Sequence, residues 1–330
     1  MKILIDMMGG DNGTSVTVPT VKHYLTLHDD LELFLVGDEA LLSKEFKDYK
    51  NVTIVPSTTI VPMDADPLSA LHDKESSLMK GVKAFLDNKC DAFISAGSTG
   101  ALLAAATFKI KRLEGVARPC LMTSFPTIKK NKKFVVADLG ANNVATKEEL
   151  VQFGIMGSLY YKAIYNDTLE PRVYLLNNGT EEEKGTEVLK ETYQLMKENK
   201  SLNFCGNMEA RYPLQGELEV LVADGFNGNI FLKTMEGTAK EMSNMIKDVF
   251  KRNFVSKLAY LMVRKGIHQM KEKMDYKNVG GALLAGVNGV VVKAHGSSDF
   301  KCFLSALENA YKLVKVDIVS KFKEEIKWVD

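Results

Sequence analysis

The stretch Asp91–Phe108, DAFISAGSTGALLAAATF, decides how the chain is read. Ala92 to Ser95 is a short apolar run of the length expected for a buried strand. It breaks into Gly97-Ser98-Thr99-Gly100 and resumes as Ala101-Leu102-Leu103-Ala104-Ala105-Ala106, a run of strong helix formers. The pattern predicts strand, glycine-bracketed turn and helix. Glycines let the backbone approach a bound group, and Ser98 and Thr99 offer hydroxyls. The first helical turn leaves N–H groups unpaired at the positive end of the dipole. Such a turn suits a phosphate. GSTG lacks both the GxxxxGK(S/T) and the GxGxxG spacing, so neither of those binding mechanisms applies. By itself it also fits a strand-to-helix connection that binds nothing.

The flanking sequence repeats the alternation. Lys2 to Asp6 reads as a strand, followed by the turn Met8-Gly9-Gly10-Asp11-Asn12-Gly13 and an amphipathic segment from Val16 to His28. Leu31 to Val36 and Val52 to Val55 are further strands. A loop from Pro56 to Asp66 leads into a helix with Asp66 as N-cap and Pro67 at its first position, running to about Asn88. Strands alternating with helices at this spacing imply crossover connections and a layered α/β fold.

Ligands in such folds bind at the carboxyl ends of strands, and polar turns fall at those places. They are Asp6 with Gly9-Gly10-Asp11, GSTG, Asp138-Leu139-Gly140-Ala141-Asn142, Asn177-Asn178-Gly179-Thr180-Glu181, Gly206-Asn207-Met208-Glu209, Asp224-Gly225-Phe226-Asn227-Gly228-Asn229, and His295-Gly296-Ser297-Ser298-Asp299. Seven polar turns after seven apolar runs predict the rim of one cleft. Each alone also fits an ordinary turn, because Asn, Asp and Gly are what turns need.

At 330 residues, 45% hydrophobic and 26% charged, with a net charge of +1, the chain can bury a large core, and its overall charge singles out no partner. Nothing in it suggests nucleic acid. Cys90, Cys120, Cys205 and Cys302 form no CxxC pair and read as thiols in a reducing compartment. The N-terminus reaches Asp6 and glycines too soon for a signal peptide, and no apolar run approaches the about 18 residues that span a bilayer. The expectation is a cytoplasmic protein, unless it lies on a membrane surface.

One segment differs in kind. From Phe254 to Val263 the apolar residues Phe254, Leu258, Leu261 and Met262 form a patch, rimmed by Lys257, Arg264 and Lys265. Between Lys247 and Lys277 there are nine Lys or Arg against Asp248, Glu272 and Asp275, so the segment is +6 and the rest −5. It reads as an amphipathic helical protrusion at about 250–277 that meets an anionic membrane, an acidic protein or a second subunit. Lys129 to Lys133 is a hairpin tip or linker, and the tail from Asp299 to Trp328 carries a helical core face.

These turns, in this order, resemble the phosphate acyltransferase family of bacterial phospholipid synthesis. The carrying residues are IDMMGGD at the start, ISAGSTGALLAA from Ile94, DLGAN from Asp138, LVQFGIMGS from Leu150, LLNNGTEEEKG from Leu175, GNMEAR from Gly206, DGFNGNIFLKTMEG from Asp224 and KAHGSSD from Lys293. Two blocks depart from the family pattern. Asn12-Gly13-Thr14 stands where His and Ala-Pro are common, and Ser98 stands where the central turn often has Asn.

The resemblance implies one Rossmann-like α/β domain over 1–330, with a parallel or mixed sheet and helices on both faces, similar to phosphotransacetylases and the isocitrate and isopropylmalate dehydrogenases. It implies a cytoplasmic homodimer, peripherally associated with the membrane through the Phe254–Val263 patch. It also implies conversion of long-chain acyl-acyl carrier protein and inorganic phosphate to acyl phosphate, for use by a membrane glycerol-3-phosphate acyltransferase. No cofactor is implied.

Attack of phosphate on a thioester needs neither a triad nor a catalytic cysteine, because phosphate is already anionic and a thiolate leaves readily. The site must instead aim and desolvate phosphate and stabilise an oxyanion. The candidates for phosphate are the N–H groups around Gly97 to Gly100, the Ser98 and Thr99 hydroxyls, and a cation, Lys184 first, in its polar turn, and His295 second. Asn142, Asn227 and Asn229 are amide donors suited to the oxyanion. Asp6, Gly9, Gly10, Asp138, Asn177, Asp224, Ser297, Ser298 and Asp299 complete the substrate-binding set, with the aspartates orienting donors. No HxxxH or paired carboxylates suggest a metal.

Three other readings stay open. Acetyl transfer between coenzyme A and phosphate would leave the basic amphipathic segment without a purpose. A nicotinamide-linked hydroxy-acid dehydrogenase would need several arginines on substrate carboxylates, and the turns carry only Arg211. A carrier-protein binding module would need the patch but not the glycine-rich rim.

Overall fold

Runs of β-branched and aromatic residues long enough to be buried on both faces build the sheet. The computed structural model describes residues 1–165, 170–274 and 280–326. Its strands are β1 (Lys2–Asp6), β2 (Glu32–Gly37), β3 (Val52–Pro56), β4 (Ala92–Ser95), β5 (Cys120–Pro126), β6 (Lys133–Ala137), β7 (Arg172–Asn177), β8 (Asn203–Glu209), β9 (Val220–Val222), β10 (Ala282–Ala285) and β11 (Val290–Lys293). They join one 11-stranded sheet in the order β3-β2-β1-β4-β11-β10-β5-β6-β9-β7-β8.

The helices are α1 (Thr14–Leu27), α2 (Glu39–Glu45), α3 (Ser77–Asp87), α4 (Thr99–Ala105), α5 (Lys147–Tyr165), α6 (Glu187–Glu198), α7 (Gly225–Lys251), α8 (Phe254–Met274), α9 (Phe300–Lys315) and α10 (Ile318–Glu325). Alternate residues of each strand point to opposite faces, so the sheet feeds two cores. Ile3, Ile5, Leu33 and Leu35 meet residues of α1, α5, α9 and α10 on one side. Leu4, Phe34 and Phe93 meet α3 and α4 on the other. This is the layered α/β fold the sequence predicts, with a mixed sheet.

Strand direction qualifies the expectation of a single rim: turns from both blocks line one cavity, while those after β7 and β8 line another. β1, β2, β3, β4 and β11 are parallel neighbours, and β6, β9, β7 and β8 form a second parallel block. Between them β11–β10, β10–β5 and β5–β6 pair antiparallel. Three reversals leave the two blocks running opposite ways, so their carboxyl ends lie at opposite edges of the sheet. A second correction concerns Asp66 to Asn88. Asp66 does accept the Ser69 N–H at 2.7 Å, but only a short 3₁₀ turn, Ser69–His72, follows. The Ser76 side chain caps a separate helix, α3. The lysine-rich stretch at 129–133 does connect the antiparallel β5 and β6.

The segment beyond Gly225 is a pair of long helices. α7 has 27 residues and packs against α8. On α8, Phe254 is 74% and Met262 is 87% exposed. Among the described residues no helix is long and apolar enough to cross a membrane. Lys277 and Trp328 lie outside the described residues, and the side chains of Lys271 and Lys273 do too.

The start of α7 is pressed onto the turn after β6. A Cβ at Gly228 would lie 1.8 Å from the Asp138 carbonyl oxygen, and one at Gly225 would lie 2.7 Å from the Asn142 carbonyl oxygen. Helix propensity alone would favour Gly228→Ala by about 1 kcal/mol, but the overlap outweighs it. The expected result is a net destabilisation of about 1–3 kcal/mol, read from urea unfolding midpoints. An unchanged or raised midpoint would show that this contact does not hold the helix.

Candidate functional site

At the carboxyl end of β1 the chain turns sharply, because the buried Asp6 carboxylate accepts the N–H groups of Met8 and Gly9, both at 3.2 Å. The Ser95 hydroxyl, at the end of β4, donates to the other Asp6 oxygen at 2.8 Å. Burial raises the Asp6 carboxyl, and the hydrogen bonds of Ser95, Ser77, Met8 and Gly9 pull it back down. Gly9 and Gly10 are required for contact: a Cβ at Gly9 would sit 2.7 Å from the Gly97 nitrogen, and one at Gly10 2.8 Å from the Gly296 oxygen. The Asp11 N–H donates to that same Gly296 oxygen at 2.8 Å. The turns after β1, β4 and β11 are thus one packed unit.

Within it, the Gly97 N–H is already given to the Ser95 hydroxyl at 3.1 Å. Ser98 is the N-cap of α4, its side chain accepting from Ala101. Thr99 and Gly100, in the first helical turn, keep N–H groups with no intrahelical acceptor. After β11, Ser298 is buried and its hydroxyl donates to the His295 carbonyl at 2.6 Å, while Asp299 caps α9. The Ser297 N–H donates to His295 Nδ1 at 3.2 Å, which leaves Nε2 as the ring's donor.

A cavity of about 430 Å³ opens where this unit meets the antiparallel seam. Leu121, Thr123 and Phe125 form its floor, on one face of β5. Asp11, Thr99, Lys293, His295 and Ser297 line it together with Gly140, Asn229, Lys233 and Glu236. Lys293 is the residue that sequence reasoning missed. It ends the apolar strand VVVK, and its 8% exposure makes it an ammonium buried at the cavity wall. Its Nζ donates to the Ala96 carbonyl at 3.3 Å and to the Ala294 carbonyl. Burial lowers its pKa to about 8, with Asp11, Cys302 and Asp6 pulling the other way. A lysine directly after three β-branched residues was the available signal. Burial likewise raises the Glu236 carboxyl, against the pull of His295 and Lys233.

Several sequence candidates lie elsewhere. Asn142 is buried, and its amide donates to the Pro119 carbonyl at 2.8 Å and to Asp138 at 2.9 Å, so both its protons are spent inside the turn. Asp138 also accepts from the Leu121, Gly140, Ala141 and Asn142 N–H groups and organises that turn. Asp224 is the N-cap of α7 and also accepts the Asn227 amide at 2.7 Å. Asn177 donates to the Lys184 carbonyl at 3.0 Å. Asn177 and Asn227 line a separate cavity of about 760 Å³ with Gly185, Glu209 and Arg211. The Lys184 side chain is exposed and lines neither cavity. Strand order is the reason: β9 separates β7 from β6, so the turn after β7 lies away from the antiparallel seam. Among the described residues no group of three His, Cys, Asp or Glu side chains could hold a metal ion.

A family model described as fatty acid synthesis protein matches residues 1–321. A phosphate acyltransferase of Clostridium perfringens is 41% identical over 331 residues, covering 99% of this chain and 97% of that protein. One of an Exiguobacterium species is 42% identical over 326 residues, covering 98% of each. Among solved structures, a phosphotransacetylase from Streptococcus pyogenes superposes with a TM-score of 0.62 at 17% identity, covering 97% of this chain and 94% of that one. A branched-chain phosphotransacylase from Enterococcus faecalis gives 0.58 at 15% identity, covering 95% and 99%. At such identities the likeness establishes the fold.

The Lys293 ammonium makes two opposite predictions. Inorganic phosphate should raise the melting temperature of the protein, an effect lost in Lys293→Met and fading as pH rises through about 8. Stability should move the other way. The unfolded chain keeps this proton to about pH 10.4, so between the two values it binds more protons and the fold gains stability as pH rises. Lys293→Met should therefore stabilise the phosphate-free protein at pH 7 by on the order of 1–2 kcal/mol. Loss of stability at pH 7 with phosphate binding intact would refute both.

Proposed function

The chain belongs to the fatty acid synthesis protein family and is an enzyme, a phosphate acyltransferase, and we propose that it makes acyl phosphate from a long-chain acyl-acyl carrier protein and inorganic phosphate. The observation that carries this reading is a buried lysine ammonium that lines one cavity together with Thr99, in the first turn of α4, and Asn229. The first two suit a phosphate. The third suits a carbonyl oxygen becoming an oxyanion.

Hydrogen phosphate, drawn to Lys293 and Thr99 with His295 and Ser297 beside them, attacks the thioester carbonyl carbon. A carbon–oxygen bond forms, and the carbonyl electrons move onto oxygen, where the Asn229 amide donates. The tetrahedral intermediate collapses, the carbon–sulfur bond breaks, and the proton brought by hydrogen phosphate ends on the departing thiolate. Charge and atoms balance without a base, a protein nucleophile or a metal. Catalysis is then positioning and electrostatics, and the low dielectric around Lys293 strengthens both.

The same reading makes the protein a cytoplasmic homodimer that touches the anionic membrane surface peripherally. Support comes from α8, where Phe254, Leu258, Leu261 and Met262 are exposed beside Lys257, Arg264 and Lys265. A membrane glycerol-3-phosphate acyltransferase would then receive the product close to where it acts, toward phosphatidic acid.

The test is to incubate the protein with a long-chain acyl-acyl carrier protein, with and without phosphate, and trap product with hydroxylamine as the hydroxamate. Phosphate-dependent hydroxamate is expected, falling about 100-fold or more in Lys293→Met and about 10-fold or more in Asn229→Ala. Product from acetyl-coenzyme A alone would move the assignment to a phosphotransacetylase. Silence from both thioesters would overturn it.

A further inference from the structure

A second cavity, of about 730 Å³, adjoins the first and is used by no step above. Its walls are the β5–β6 hairpin with Phe125 and Ile128, the inner side of α7 with Phe231, Met235 and Met242, and Gly266 of α8. Phe125 and Glu236 line both cavities, so the two meet there. Phe125 is buried and held by Phe134 and Phe231, with ring centroids 5.6 and 6.3 Å away. It is a fixed divider rather than a mobile flap.

The chemistry changes sharply at that divider. On one side are an ammonium, hydroxyls and an amide; on the other the lining is almost wholly apolar. Ile128 is 68% and Met242 is 47% exposed, so apolar side chains of this wall face open space. The volume falls in the range of about 300–1,000 Å³ that holds small ligands. Gly266 marks its far side: a Cβ there would meet nothing within 4 Å.

We infer that this groove holds the acyl chain of the substrate, which leaves the polar cavity between Phe125 and Glu236, and that Gly266 sets the depth open to the chain's far end. The inference rests on the proposed reaction. A molecule with an anionic acceptor at one end and a long apolar tail needs a polar and an apolar space joined at the reacting carbon. Phe125 and Glu236 mark that junction.

Gly266→Leu tests it, because Gly266 lines the groove and a Cβ there meets no other atom within 4 Å. The ratio of kcat/KM for hexadecanoyl and butanoyl carrier-protein thioesters is the readout. The hexadecanoyl value should fall about tenfold or more, with the butanoyl value within about twofold. Ala239→Phe, on the facing wall of α7, should shorten the accepted chain in the same way. Hexadecanoate binding by calorimetry should weaken about tenfold in Gly266→Leu, independently of turnover. Equal changes for both thioesters, with hexadecanoate binding unchanged, would overturn the groove assignment while leaving the reaction standing. A changed subunit assembly with an unaltered chain-length profile would also overturn it and make the groove a contact between copies. Failure of the wild type to use any acyl thioester would overturn the reaction, and hexadecanoate binding would still decide the groove.

Discussion

The antiparallel pair β10–β5 is the constraint on which the molecule is organised. Parallel blocks need long crossover helices, and each block covers its faces with them. Joining two blocks of opposite direction requires strands that can pair antiparallel on both sides, and β10 and β5 do so. Leu121, Thr123 and Phe125 of β5 consequently floor an open cavity instead of lying beneath a helix. The turns of one block and the start of α7 reach that floor from opposite directions. A uniformly parallel sheet would set all its turns along one edge and leave no such facing arrangement.

Placing an ammonium at that cavity is costly. Lys293 gives up hydration for two backbone carbonyls, those of Ala96 and Ala294, and neither is a counter-ion. Asp11 and Asp6 offset part of that cost, and an arriving dianion offsets more. Enzymes commonly hold such local instability where binding relieves it.

Much of this was legible in the sequence. The strand–turn–helix at Ala92 to Ala106 and the alternation of elements follow from local propensity, and the structure has them. Strand direction was not legible, because apolar runs look alike whichever way they point, and so seven turns were grouped, of which those after β1, β4, β6, β9 and β11 line the first cavity and those after β7 and β8 line another. Asn142 and Asn229 are alike as residues and differ only in what surrounds them. One spends its amide on Pro119 and Asp138, and the other lines the cavity. Lys184 was favoured because it sits in a polar turn, whereas Lys293 escaped notice because it ends an apolar strand. For a buried cation that apolar setting is the informative feature.

α7 is more than a spacer between cavity and surface. It is clamped at its first turn, where Gly225 and Gly228 touch the backbone of the β6 turn, and it runs unbroken for 27 residues to Lys251. From Asn229 to Lys251 the axis extends about 33 Å, so a tilt of about 5° at the clamp moves the far end by about 3 Å. The relation works in both directions. A force on the exposed tip is delivered with leverage at the residues that line the polar cavity, and a ligand that shifts Asn229 swings the tip. The helix makes the remote end of the molecule a pointer whose pivot is the site.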